Sequence, residues 1–209
     1  MTYLLSILIP TLIERREVFN QLIDNIHKQI EENNYKEKVE VLSICDDRNL
    51  KLSVKRNMLQ KMSSGRYFCH IDDDDSLESD FCKSVITHIE DLPIFQKSQP
   101  DVIGFNQLAK VNGNRFIVKP NIRNGLFLSP VPQSKTNNTG YQEFERFPWQ
   151  YNLWHEKYKK IYRTESDTNA REDQNWLKKI MLEYPKQMSY INKILHIYNF
   201  DNPELSTCQ

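Results

Sequence analysis

Apolar positions in the first hundred residues switch between two periods. Leu4 to Ile9 is a short apolar run that Pro10 is expected to stop, the signature of a buried strand. Val18, Leu22, Ile23, Ile26 and Ile30 then fall on one stripe at helical spacing, ended by Asn33-Asn34. Val39 to Cys45 is a second strand-like run. Val54, Met58, Leu59 and Met62 make a second helical stripe, with Gly65 as its expected C-cap. Tyr67 to Ile71 reads as a third strand, and Phe81, Val85, Ile86, Ile89 and Leu92 as a third helix. Strand and helix in strict succession imply a parallel sheet covered by helices.

Past Pro100 the pattern loosens. Asp101 to Phe105 and Arg115 to Val118 read as strands around a turn at Val111-Asn112-Gly113-Asn114. Residues 119 to 154 are rich in Asn, Pro, Gly and aromatic residues and show no clear period. A helix resumes through Trp176, Leu177, Ile180, Met181 and Tyr184, and Ile194 to Phe200 reads as a last strand.

Strand ends are where open parallel sheets bind ligands. Pro10, Thr11, Glu14, Arg15 and Arg16 follow the first strand, Asp46, Asp47 and Arg48 the second, and Asp72, Asp73, Asp74 and Asp75 the third. No glycine-rich loop follows the first strand, which excludes the dinucleotide fingerprint and the P-loop. Four adjacent carboxylates repel one another by roughly 1 kcal/mol per close pair even in water. In extended chain Asp72 and Asp74 share one side, a pair suited to Mg2+ or Mn2+ that leaves positions for phosphate oxygens. The alternative is a solvated acidic turn capped by Ser76 or Asp80. A calcium loop is excluded, because Lys83 stands where the bidentate glutamate belongs.

Composition narrows the picture further. Lys plus Arg and Asp plus Glu number 28 each among 209 residues, giving zero formal charge and arguing against bulk electrostatic binding of nucleic acid. Cys45, Cys69, Cys82 and Cys208 form no C-x-x-C pair, as expected for a reducing, cytoplasmic setting. No run approaches the roughly 20 apolar residues of a membrane span. The end at Cys208-Gln209 carries no stop signal, leaving room for further domains in a longer polypeptide.

The residues S-I-L-I-P-T, the Asp46-Asp47 pair and K-R-N-M-L-Q-K-M-S-S-G-R-Y-F-C-H-I-D-D-D-D over 55 to 75 resemble the family-2-like glycosyltransferases of the GT-A fold. R-E-D-Q-N-W from Arg171 is similar to that family's Glu-Asp pair at a helix start. The resemblance covers nearly the whole chain, strongly over residues 5 to 90. It implies an α/β fold with a mostly parallel central sheet, in one domain over 1–209. Residues 1–100 would then bind the nucleotide-sugar and 101–209 the acceptor. Asn- and Lys-rich, Gly-poor usage is similar to that of large-DNA-virus enzymes that decorate capsid glycans.

The resemblance also implies roles. Pro10, Thr11, Glu14 and Arg16 would line the nucleotide pocket. Asp46 would meet the base, uracil by expectation, with Lys55 and Arg56 near base or diphosphate and Asn57 in support. Asp72 would meet ribose or metal, Asp73 ribose and Asp74 the metal, joined by His196. Asp173, with Glu172 next, would take the acceptor proton; acids at a helix start also suit its dipole. Trp149, Tyr151, Trp154 and Trp176, with His155, would offer an acceptor platform, although core packing accounts for Trp176 as well. The expected activity is metal-dependent, inverting transfer from a UDP-sugar to a glycan hydroxyl. A non-catalytic glycan- or nucleotide-binding module and a sugar-nucleotide-forming enzyme are the alternatives. The second of these would want a glycine-rich basic loop where Ile9-Pro10-Thr11 stands.

Overall fold

The computed structural model describes residues 3–93, 99–111, 113–123, 135–136, 141–164 and 171–200. Its first half is the succession that the periodicities predict. Strand β1 (Leu5–Leu12) leads through a 3₁₀ turn (Ile13–Arg15) into helix α1 (Arg16–Glu32). Then come β2 (Val39–Asp46), α2 (Leu52–Met62), β3 (Tyr67–His70), the short β4 (Ser76–Leu77) and α3 (Phe81–Glu90). The second half holds β5 (Val102–Val111), β6 (Asn114–Pro120), β7 (Lys135–Thr136), β8 (Gln142–Arg146) and β9 (Leu153–His155). A second 3₁₀ turn (Glu156–Lys160), α4 (Glu172–Leu182) and β10 (Met188–Phe200) complete it.

All these strands belong to one sheet, ordered β2-β1-β3-β9-β5-β6-β8-β7, with β10 beside β5 and β4 beside β10. Strands β1, β2 and β3 are mutually parallel, as are β5 and β10, while the short β9 joins the two groups antiparallel to both. Every residue of β1 is buried, so its apolar side chains serve both faces. Leu5, Ile7 and Ile9 pack with α1 and α3 residues such as Leu22, Ile26, Val85 and Ile86. Leu8 turns the other way, to Leu59 of α2 and to Trp176 and Leu177 of α4. No described helix is long and apolar enough to cross a membrane.

Several elements differ from expectation for local reasons. Pro10 does not end β1; the strand runs on to Leu12, with Pro10 opposite Ile44. The ladder to β3 stops at Leu8, so on that side the missing N–H of proline leaves no gap. Gly65 is not the cap of α2, which ends on extended Ser63. A Cβ on Gly65 would lie 2.5 Å from Ser6 Oγ and 2.6 Å from Ser6 N, so this glycine lets the chain cross β1 closely. The segment without a clear period contains β8 and β9, too short to declare themselves by alternation. The turn between β5 and β6 has Gly113 at φ +74°; its Asn112 lies outside the described residues, as does Cys208.

Candidate functional site

The carboxyl ends of β1, β2 and β3 meet along one edge of the sheet, and their loops are tied together by side chains. Thr11 Oγ1 donates to Asp73 Oδ2 at 2.7 Å. Lys55, on α2, donates to the Thr11 carbonyl at 2.9 Å and to Asp46 Oδ1 at 2.6 Å. Asp46 Oδ2 accepts the Leu50 amide at 2.7 Å. Burial alone would raise the Asp46 carboxyl, but Lys55 and the Leu50 amide outweigh it and hold the group below the usual range. Lys55 is thus a buried strut between two strand ends, not a solvated position of its helix. Pro10 is buried in β1 beside Thr11.

The first 3₁₀ turn decides which arginine enters the site. Arg15 turns inward, its guanidinium Nη2 3.0 Å from Asp73 Oδ1 and 2.8 Å from Asp74 Oδ2. Arg16, expected in the pocket, is exposed. Glu14 sits on the rim, paired with Arg48 through its Nε at 2.9 Å. Burial first, and then neighbouring carboxylates, push Asp73 and Asp74 up to about 6 against the pull of Arg15. Asp75 is raised by burial and restrained by His196, whose Nε2 is 3.1 Å away. The other ring nitrogen of His196 meets Gln107 Nε2 at 3.0 Å, and the ring stacks on Tyr151 at 4.5 Å. Both nitrogens of His196 are therefore engaged within the protein.

Behind Asp72 lies a buried ionic network. Arg56 bonds Asp72 Oδ1 and also Glu172, which is fully buried. Glu172 Oε2 is ion-paired with Arg163 Nε at 2.5 Å. Arg163 lies 4.4 Å over the Trp176 ring and donates through Nη2 to Gln150 Oε1 at 3.2 Å. Its Nη1 is 3.3 Å from His70 Nε2. Burial, with Arg163 and Arg56 beside it, drives the His70 imidazole far below its ordinary range, so it stays neutral and accepts. Asn57 brackets the backbone of Arg163, donating to its carbonyl at 2.9 Å and accepting its amide at 2.8 Å. Glu172 thus has no face left for a ligand.

Its neighbour Asp173 does. Only partly buried, it accepts Trp149 Nε1 at 3.1 Å and the Gln174 amide at 2.7 Å. Burial raises its carboxyl, Arg56 opposes this and Asp72 adds to it, so Asp173 stands within electrostatic reach of the aspartate run. Arg146 stacks over Trp149 at 4.5 Å and donates to the Tyr151 hydroxyl at 3.3 Å.

Three platform residues fall elsewhere. Trp154 is fully buried against Phe68, Tyr158 and Trp176, and Trp176 is core as well. His155 pairs with Tyr67 at the start of β3, the end remote from Asp72. The physical reason for Trp154 and His155 is that β9 runs antiparallel to β3 and carries them away from the site. Arg15, Gln150 and Arg163 are the participants that the sequence reading missed. Arg15 was legible as one of two adjacent arginines, whereas nothing local marks the other two.

Three carboxyl-side strand ends and the start of α4 therefore converge on one cluster of polar and charged side chains. No protein-family model matches the chain, and no curated protein matches it in sequence. Solved structures do match in fold. TarS residues 1–349 from S. aureus shares 14% identity at a TM-score of 0.56, over 93% of this chain and 60% of that one. The same protein in complex with UDP-GlcNAc gives 16% identity and 0.56, over 92% and 57%. The catalytic domain of Drosophila beta1,4galactosyltransferase 7, in complex with xylobiose, gives 9% and 0.50, over 89% and 64%. The chain thus has the GT-A arrangement, and it spans about 60% of the length of the TarS fragment.

Proposed function

We propose that this chain transfers a sugar from a nucleoside diphosphate, a UDP-sugar, to a hydroxyl of a glycan acceptor with inversion at the anomeric carbon. The observation that carries this reading is the placement of Asp173, a partly exposed carboxylate with a raised proton affinity, across from the aspartate run at the strand ends. A base for an acceptor hydroxyl needs that combination of access and proton affinity. The occurrence of UDP-GlcNAc in the TarS complex supports the class of donor.

The donor set suits a hard divalent cation. Four successive carboxylates face only Arg15, Arg56 and His196 among the described ion pairs, and Asp73 and Asp74 are raised first by burial and then by their neighbouring carboxylates. No group of three His, Cys, Asp or Glu side chains is arranged as a ready ligand cluster among the described residues. Asp74 and Asp72, the more accessible members, would hold Mn2+ or Mg2+, while His196 stays with Asp75 and Gln107. Bound there, the ion supplies positive charge against the departing diphosphate.

The protein's own residues do the rest. Lys55 and Asp46 shape the pocket floor for the base, and Thr11 and Asp73 brace the run. Asp173 takes the proton from the acceptor oxygen as that oxygen attacks the face opposite the diphosphate. Trp149 and Arg146 line the acceptor side. Calorimetry with UDP, with and without Mn2+, followed by hydrolysis assays over a panel of UDP-sugars, tests the reading. It is abandoned if UDP fails to bind at any Mn2+ concentration while free glycans bind alone.

A further inference from the structure

Arg15 occupies a position with a consequence for how a cation can enter. Its guanidinium is the sole cation paired with Asp74 among the described residues. The same Nη2 spans to Asp73, which is held independently by Thr11. Asp72 and Asp75 have their own partners in Arg56 and His196. Removing Arg15 thus frees Asp74, leaves Asp73 with its Thr11 hydrogen bond and does not touch the pairs of Asp72 and Asp75. Asp74 retains 20% side-chain exposure against 3% for Asp73, so of the two partners of Arg15 it is the one that solvent and ions can reach.

The guanidinium is also not saturated. Arg15 is 7% exposed, and its Nε has no hydrogen-bond partner among the described residues. A buried N–H without an acceptor is costly unless a ligand completes it. Arg15 Nη2 sits on Asp74 Oδ2, so a divalent ion that takes that oxygen must displace the guanidinium or bear the repulsion of a like charge in a partly desolvated site. An arginine that leaves a carboxylate beside a diphosphate finds phosphate oxygens matched to its planar fork.

We infer that Arg15 is the resident counter-cation of Asp74, displaced by the divalent ion and then turned onto the diphosphate of the donor. The inference rests on the nucleotide-sugar reading above and adds a coupling to it. Metal alone must compete with Arg15 and binds weakly, whereas metal with nucleotide gives Arg15 a new partner. The two ligands therefore bind with positive cooperativity, and that cooperativity passes through one side chain.

The test is a calorimetric cycle on the whole chain: Mn2+ alone, then Mn2+ with UDP present, for wild type, Arg15→Met and Arg15→Lys. With a charge-assisted contact removed, Arg15→Met should bind Mn2+ alone about tenfold more tightly. The same variant should lose most of the cooperativity with UDP. Arg15→Lys keeps a competing charge and should bind Mn2+ alone as wild type does, while binding UDP less well for want of the fork. Thermal melts establish that each variant is folded, and Arg15→Gln repeats the neutral test if the methionine variant is not. If wild type binds Mn2+ with UDP but the folded neutral variants bind Mn2+ no more tightly than wild type, the inference alone is overturned. If no protein in the series binds Mn2+ even with UDP, the metal-dependent reading falls and the inference falls with it.

Discussion

The indole of Trp149 donates to Asp173 Oδ2 at 3.1 Å and orients the candidate base. Burial pushes the Asp173 carboxyl up, while Arg56 and the Gln174 amide pull it down; a donor such as the indole also favours the ionised form. Trp149→Phe removes that donor. The proton affinity of Asp173 should then rise, moving the acid limb of the kcat profile to higher pH by roughly one pH unit. A profile of kcat against pH reads this directly, and UDP affinity serves as the control that should not move.

Asp173→Asn keeps the shape of the side chain and removes its basicity. Turnover should fall between about a hundredfold and ten-thousandfold, with donor binding preserved within about twofold. Assays with the preferred UDP-sugar and calorimetry with UDP measure the two halves. Near-full activity would exclude Asp173 as the base.

Asp74→Asn acts on the donor side instead. Metal-dependent UDP binding should weaken by at least about tenfold, and metal-free UDP binding should change little. Equal weakening in both conditions would mean that Asp74 supports the fold of the loop and not an ion.

Glu172→Gln leaves Arg56 and Arg163 facing each other without their shared carboxylate. Breaking a buried ionic network in this way costs about 3–5 kcal/mol. For a chain of this size the melting temperature should drop by roughly 10 °C. Calorimetric or optical melting decides, and an unchanged melt would show that the network contributes little.

Asp101 carries a stability prediction with a definite sign in pH. It accepts the amides of Lys186 and Gln187 at 2.7 and 2.9 Å and the Tyr158 hydroxyl at 3.0 Å. Burial works against its ionised form, but Lys157 and those amides prevail, so the carboxyl is lowered. Its stabilisation is therefore present above the unfolded value of about 4 and is lost as pH falls through the folded one. Asp73 and Asp74, raised to about 6, contribute oppositely: full effect below about 4, lost as pH climbs through 6. Asp101→Asn should cost about 1–3 kcal/mol at neutral pH. That deficit should close on acidification in denaturant titrations.

Sequence carried the strand-helix succession and the strand-end acids, because burial on both faces writes long apolar runs and strand ends write polar ones. Thr11, Asp46 and Asp72 to Asp75 were legible for that reason, whereas Lys55, on α2, was picked out by the family resemblance alone. Arg15 and Arg16 were not separable, since a single 3₁₀ turn decides which points inward. Trp149 and Trp154 share one aromatic segment, and only the pairing of β9 with β3 sends one to the site and the other to the core. Gln150 sits in the segment without a period and Arg163 just beyond it, and partners such as Asp72 for the one and Asn57 of α2 for the other lie far away along the chain. Gly65 looked like a helix cap because sequence does not reveal that β1 passes beneath it.

Strand β10 is the last of the described elements. It runs beside β5 for the whole length of that strand, meets β4 directly after the aspartate run, and brings His196 to Asp75. During synthesis the acidic loop therefore emerges long before the histidine that meets its last member. Until residues near His196 arrive, Asp75 lacks that partner and its loop has no strand to lie against. Assembly of this end of the sheet thus waits on β10, and a ribosome stalled ahead of Met188 would hold a chain in which β4 and β5 lack the strand between them.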